Sequence, residues 1–315
     1  SGTAAGATGL TTADMMKLSS FADAGWSIDG VGGTSSVWRI YEGYTAPLLR
    51  GFMTDLTVTG GSGTKTYNGT TVSSDVGTLT YDPAGYDQSL VFGTATYTAS
   101  SADAGTYSGA NLTLSGLYSS QLGYDISLVA NTLTIDPAAL TVTADAKTMT
   151  YGGTLPSLTY AITSGTLYGS DTLSGSLVTS ASSTSNVGDY TIAQGTLAAS
   201  ANYTLTYVSA NVAVTPATLT VTAGNGSMVY GDAVPDIGYS VSGWKNGQTD
   251  ALLSDIATST DATSSSDVGS GYTTSAAGGT LSGAATGNYV FAYADGSFAD
   301  RKSTRLNSSH HQVSR

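Results

Sequence analysis

The chain has 315 residues, no cysteine and a formal net charge of −12 at pH 7, with charged side chains making up only 10%. The absence of cysteine excludes a disulfide framework and thiolate chemistry. An acidic, cation-poor surface repels nucleic acid and anionic membranes, which need basic patches to release counterions. The length suits two or three domains.

Forty glycines, many Thr, Ser, Val, Leu and Tyr, and a single glutamate at Glu42 among 22 acids read as an all-β chain, because the usual fillers of helix surfaces are scarce. No apolar run reaches the roughly 18 residues a spanning helix needs. Ser1-Gly2-Thr3 lacks the basic and apolar stretches of a signal peptide, so an export signal is expected upstream.

In chain order, the first stretch carries Gly9-Leu-Thr-Thr-Ala13, Phe21, Gly25-Trp-Ser-Ile28 and Val37-Trp-Arg-Ile-Tyr41. Trp26 and Trp38 are expected to form an apolar plug there. Next come three repeats of about 80 residues, the signature of a modular array. Leu140-Thr-Val-Thr-Ala144 returns as Leu219-Thr-Val-Thr-Ala223, Tyr151-Gly152 as Tyr230-Gly231, and Asn202-Tyr203 as Asn288-Tyr289. A more divergent copy upstream holds Leu56-Thr-Val-Thr59, Tyr67-Asn-Gly69, Tyr124-Asp-Ile126 and Leu133-Thr-Ile-Asp-Pro137.

Within each repeat, apolar residues alternate with Thr at a period of two, so short strands separated by turn residues should stack into a small sandwich. Pro137-Ala-Ala139 and Pro216-Ala-Thr218 are short joints that leave neighbours little freedom. The paired tyrosines Tyr151/Tyr230, Tyr160/Tyr239, Tyr203/Tyr289 and Tyr207/Tyr293 recur in register and are expected to pack within the modules. Asp300 to Arg315 breaks the pattern, holding both histidines and four of the ten cations. Asp300-Arg-Lys-Ser-Thr-Arg-Leu-Asn-Ser-Ser-His310 is similar to a translated short-read sequencing adaptor, which predicts that the third repeat is cut before its closing strand.

Before residue 300 there is no histidine, which removes Ser-His-Asp chemistry and His-based zinc sites. The carboxylate pairs Asp82/Asp87 and Asp232/Asp236 sit beside Gly or Pro, as turn residues do, and no catalytic residue is assigned. No cofactor or metal site is assigned; the acidic loops allow at most a weak structural calcium. Trp244, Lys245 and Asn246, in an inserted loop of the third repeat with no counterpart in the second, are the candidate surface contacts.

Lys147-Thr-Met-Thr-Tyr-Gly152, Ser185-Asn-Val-Gly-Asp-Tyr-Thr-Ile192 and Asn202-Tyr-Thr-Leu-Thr-Tyr-Val208 resemble the MBG-type repeats of bacterial exoproteins. Lys65-Thr-Tyr-Asn-Gly-Thr-Thr71 resembles the related YDG type, with Asn68 where aspartate is usual. The first fifty residues are similar to the segment that closes the β-solenoid passenger of filamentous-haemagglutinin-like exoproteins, after GLUG-type motifs.

The resemblance implies the end of a β-solenoid over 1–55, a YDG/MBG-like module over 56–138, MBG-type modules over 139–217 and 218–299, and an adaptor-like tail over 300–315. Together these make an all-β array of sandwich-like modules forming an elongated rod. It further implies a non-enzymatic stalk of a large secreted or surface-anchored adhesin of a Gram-negative bacterium, exported through an outer-membrane two-partner system and not inserted in a membrane. Direct binding of glycans or of host or biofilm surfaces through loop aromatics is the alternative.

Overall fold

The computed structural model describes residues 9–302. By spatial clustering the chain forms two compact units. One is built from the chain up to Thr141 with Ile162–Ser174 and Ala198–Thr206, the other from Val142–Ala161, Gly175–Leu197 and Tyr207 onward. The second repeat therefore contributes residues to both.

In the first unit, residues 9–53 hold short helical turns at Asp14–Met16, Ser19–Ala22 and Arg50–Phe52 and three two-residue strands, Ile28–Asp29, Trp38–Arg39 and Leu48–Leu49. Ile28 pairs with Trp38 in parallel and Trp38 with Leu49 antiparallel. The rings of Phe21, Trp26 and Trp38 follow one another at 5.1 and 5.3 Å, although Trp26 stays exposed on one side.

The first repeat has three sheets. Thr54–Thr59 is central to one, between Tyr124–Val129 (parallel) and Thr80–Asp82 (antiparallel). Thr132–Asp136 is central to another, between Ser62–Thr66 (parallel) and Gly105–Ser108 (antiparallel). A third sheet runs Leu112–Tyr118, Phe92–Ala99, Val72–Ser73.

The first two of these patterns return in the later repeats. In the second, Ala210–Thr215 lies between Lys147–Thr150 (parallel) and Gly188–Ala193 (antiparallel), and Ala138–Ala144 lies between Tyr160–Ser164 and Tyr203–Val208. In the third, Ala217–Ala223 lies between Tyr239–Ser242 and Tyr289–Ala294, and Gly296–Arg301 between Gly226–Val229 and Gly269–Leu281.

Alternation explains the core. Leu56 and Val58, Leu140, Val142 and Ala144, and Leu219, Val221 and Ala223 are all buried, while the intervening threonines are half-exposed. A fully buried Val or Leu side chain gains about 1.5–3 kcal/mol over an exposed one, so these first strands anchor their repeats.

Two expectations are corrected. The third repeat is not cut before its closing strand, because Gly296–Arg301 completes its sheet. Phe298 fills the place of Leu133 and Val212, but Asp300 stands where Ile135 and Val214 lie buried; it is 2% exposed, and neither carboxylate oxygen has a hydrogen-bond partner. The rest of the adaptor-like tail, 303–315, lies outside the described residues.

Nor are the recurring tyrosines uniformly internal. Tyr151, Tyr203 and Tyr289 are buried, whereas Tyr160, Tyr230, Tyr239 and Tyr293 are exposed. Tyr207 and Tyr293 lie across their sheets and tie their hydroxyls to the backbone carbonyls of Ile192 and Gly278.

Candidate functional site

The polar and aromatic side chains of the repeats converge where one repeat meets the next. Within the first unit, Asn202 of the second repeat reaches a turn of the first. Its Oδ1 accepts from the Ala104 N–H at 2.7 Å and its Nδ2 donates to Asp103 Oδ1 at 2.9 Å. The Asn202 bond, followed by one from Ser101, holds the Asp103 carboxyl below its usual range.

Within the second unit, Asn288 repeats this contact on the second repeat: Oδ1 accepts from the Val187 N–H at 2.8 Å and Nδ2 donates to Asn186 Oδ1 at 2.8 Å and Ala284 O at 2.9 Å. The receiving turns are built alike, since Tyr107 donates to Asp103 O at 2.8 Å and Tyr190 to Asn186 O at 2.9 Å. An amide suits this task because it offers an acceptor and two donors from one planar group.

Beside each asparagine a tyrosine meets a tyrosine. Tyr67 packs edge-on against Tyr168 and Tyr203, with ring centres 5.8 and 5.4 Å apart, and Tyr151 packs edge-on against Tyr289 at 5.4 Å. Such edge-to-face pairs are worth about 0.5–1.5 kcal/mol beyond the area they bury.

Tyr67 and Tyr203 both donate to Asp171 Oδ2, at 2.8 and 2.7 Å, and Tyr203 accepts from the Tyr168 N–H at 2.8 Å. The Asp171 bond, reinforced by burial and the negative charge, pushes the Tyr67 phenol up to about 12. Burial chiefly raises Tyr203 and Tyr289.

In the third repeat Tyr289 donates to Gln248 Oε1 at 2.5 Å and accepts from the Lys245 N–H at 2.9 Å. Lys245 thus has a counterpart in Tyr168, and Gln248 in Asp171. The loop of Trp244, Lys245 and Asn246 is therefore no insertion peculiar to the third repeat.

That loop is occupied by internal contacts. Trp244 donates to Asp250 Oδ1 at 2.6 Å and lies edge-on to Tyr289 at 5.3 Å, and Asn246 donates to Ser183 O at 3.2 Å. The Lys245 stem runs over Gly152, where a Cβ would stand 2.5 Å from Lys245 Cβ. Gly152 also has φ +74°, a backbone region that favours glycine.

A second cluster escaped the sequence reading because its parts are far apart in the chain. Asp125 lies buried between two guanidinium groups: Arg39 Nε is 3.2 Å from Oδ1, and Arg50 Nη1 donates to Oδ2. The Gly33 N–H also donates to Oδ2 at 3.0 Å, and the Arg39 guanidinium sits 4.1 Å from the Tyr41 ring centre. Tyr41 donates to Tyr124 O at 2.6 Å and accepts from the Ile126 N–H at 3.0 Å. This cluster binds the N-terminal segment to the first repeat and holds its carboxylate in charge contacts.

Of the carboxylates weighed as pairs, Asp82 belongs to a paired strand, and Asp87, Asp232 and Asp236 lie outside the strands. Asp87 caps a helical turn, accepting from the Ser89 N–H at 2.9 Å and Ser89 hydroxyl at 2.7 Å, bonds that lower its pKa. Asp82 ends the strand Thr80–Asp82, and the Asp232 N–H donates to Val229 O at 2.9 Å. Among the described residues no three acidic, histidine or cysteine side chains cluster as a metal site would need, and no helix is long and apolar enough to cross a membrane.

No curated protein matches the chain. Residues 140–213 and 219–299 each match the MBG domain (YGX type), so the second and third repeats are two tandem stretches similar to that domain.

Proposed function

We propose that the chain is a non-enzymatic stalk segment of a large secreted or surface-anchored bacterial adhesin, spacing a distal adhesive region from the cell. The observation that carries this reading is the repeated junction. Asn202 and Asn288 grip equivalent turns of the repeat before them, and Tyr67 and Tyr151 are covered by Tyr203 and Tyr289. MBG is a repeat domain of adhesin-like surface proteins, and joints of a single proline, Pro137 and Pro216, beside such contacts restrict swivelling between neighbours. Passage through an outer-membrane secretion partner of a Gram-negative cell, and the YDG-type and solenoid-closing character of residues 1–138, belong to the same proposal.

The alternative is that the modules bind glycans or biofilm surfaces themselves through Trp244, Lys245 and Asn246. The full chain should show no retention on glycan arrays or immobilised biofilm polysaccharide, and Asn202→Ala with Asn288→Ala should broaden the distribution of radii in small-angle scattering. Glycan retention abolished by Trp244→Ala would establish the alternative instead. Scattering unchanged by the double substitution would remove the stiffening role of the junctions.

A further inference from the structure

Tyr67, Tyr151 and Tyr230 occupy the same place in successive repeats. In each, the tyrosine N–H donates to the end of its repeat's closing strand, at Asp136 O, Thr215 O and Arg301 O. Their surroundings differ. Tyr67 is 6% exposed and Tyr151 3%, each under the tyrosine of the following repeat, while Tyr230 is 55% exposed.

The neighbouring positions behave the same way. The turn at Asp267-Val268 is built like those at Asp103-Ala104 and Asn186-Val187, with Tyr272 donating to Asp267 O at 2.8 Å. The Ala104 and Val187 N–H groups bind Asn202 and Asn288, but Val268 is 50% exposed and its N–H has no partner among the described residues. A Cβ on Gly152 would collide with the Lys245 stem, whereas one on Gly231 would meet nothing within 4 Å.

We propose that the face formed by Tyr230, Gly231 and the Asp267-Val268 turn is a docking site for a further repeat of the same type, joined after Arg301. That repeat would present an Asn-Tyr pair, with the amide taking the Val268 N–H and the ring covering Tyr230. The inference rests on the stalk reading and extends it to a specific partner chemistry. A second copy of this chain fits poorly, because its Asn202 and Asn288 are already engaged and its first repeat has Gly123-Tyr124 at that place.

The test compares nitration by tetranitromethane, read per tyrosine by peptide mass spectrometry, in the full chain and in a chain extended after Arg301 by a copy of residues 216–301. Tyr230 should react freely in the first. In the second its reactivity should fall several-fold, toward that of Tyr151, and should return when the copy carries Asn288→Ala and Tyr289→Ala. The same two substitutions in the unextended chain should expose Tyr151.

Hydrogen exchange over the copied strands reports whether the copy folds, and a second extension using residues 137–215 provides an independent repeat. If neither extension protects Tyr230, the docking proposal is overturned; if Tyr151 nonetheless becomes reactive in the double variant, the stalk reading survives. If Tyr151 stays protected there, the asparagine-tyrosine contact does not close the existing junction and both ideas fall. Concentration-dependent protection of Tyr230 in the unextended chain would assign the face to self-association and likewise overturn the proposal.

Discussion

Tyr67 donates to a carboxylate that Tyr203 also uses, which makes their junction sensitive to base. Its phenol ionises near 10 in an unfolded chain and at about 12 here. The neutral form is the one the fold favours, so this stabilisation is complete below pH 10 and is lost as pH rises through 12. Absorbance at 295 nm and thermal melting across that window should show late ionisation and falling stability. Tyr67→Phe should remove this part of the dependence and cost about 1.5–3 kcal/mol, as for a bond to a charged acceptor.

At Asp125 the consequence is larger. Replacing it with Ala leaves Arg39 and Arg50 facing each other without a counter-ion, and breaking a buried pair in this way costs about 3–5 kcal/mol. Denaturant unfolding of Asp125→Ala should show that loss. Asp300 works in the opposite direction. Its unpartnered carboxylate occupies an aliphatic position, so Asp300→Val should stabilise the third repeat by roughly 1–3 kcal/mol in the same assay.

At the scale of elements, each first strand is a run of alternating apolar residues that drives burial of one face. Leu219→Ala in the strand Ala217–Ala223 should cost about 2–5 kcal/mol, measured by urea unfolding. These strands were legible because period two is written in Leu140, Val142 and Ala144 and again in Leu219, Val221 and Ala223. The closing strand of the third repeat was not legible, because Asp300 interrupts the pattern while backbone pairing carries it through. The Asn-Tyr pairs stood out as a recurrence, but their purpose did not. Asn202 meets Asp103 across 99 residues and Asn288 meets Asn186 across 102, distances over which local pattern carries no information. The exposure of Tyr230 was equally hidden, since whether that position is buried depends on the adjoining repeat rather than its own strand.

For the whole molecule the charge balance matters more than any surface pair. Residues 1–299 carry 6 cations against 21 acids, a net of −15. Of the three ion pairs among the described residues, two are the buried contacts of Asp125. Added salt therefore screens self-repulsion far more than it weakens attraction, and the melting temperature should rise between low and high sodium chloride. In the second and third repeats the short second strand runs parallel to the closing strand, Lys147–Thr150 beside Ala210–Thr215 and Gly226–Val229 beside Gly296–Arg301. When such a repeat is pulled by its two ends, tension reaches the paired strands from opposite directions and slides one along the other. The hydrogen bonds between them are then loaded in shear and must rupture together, not peel apart singly, so such a repeat should resist extension more strongly than one whose strands unzip.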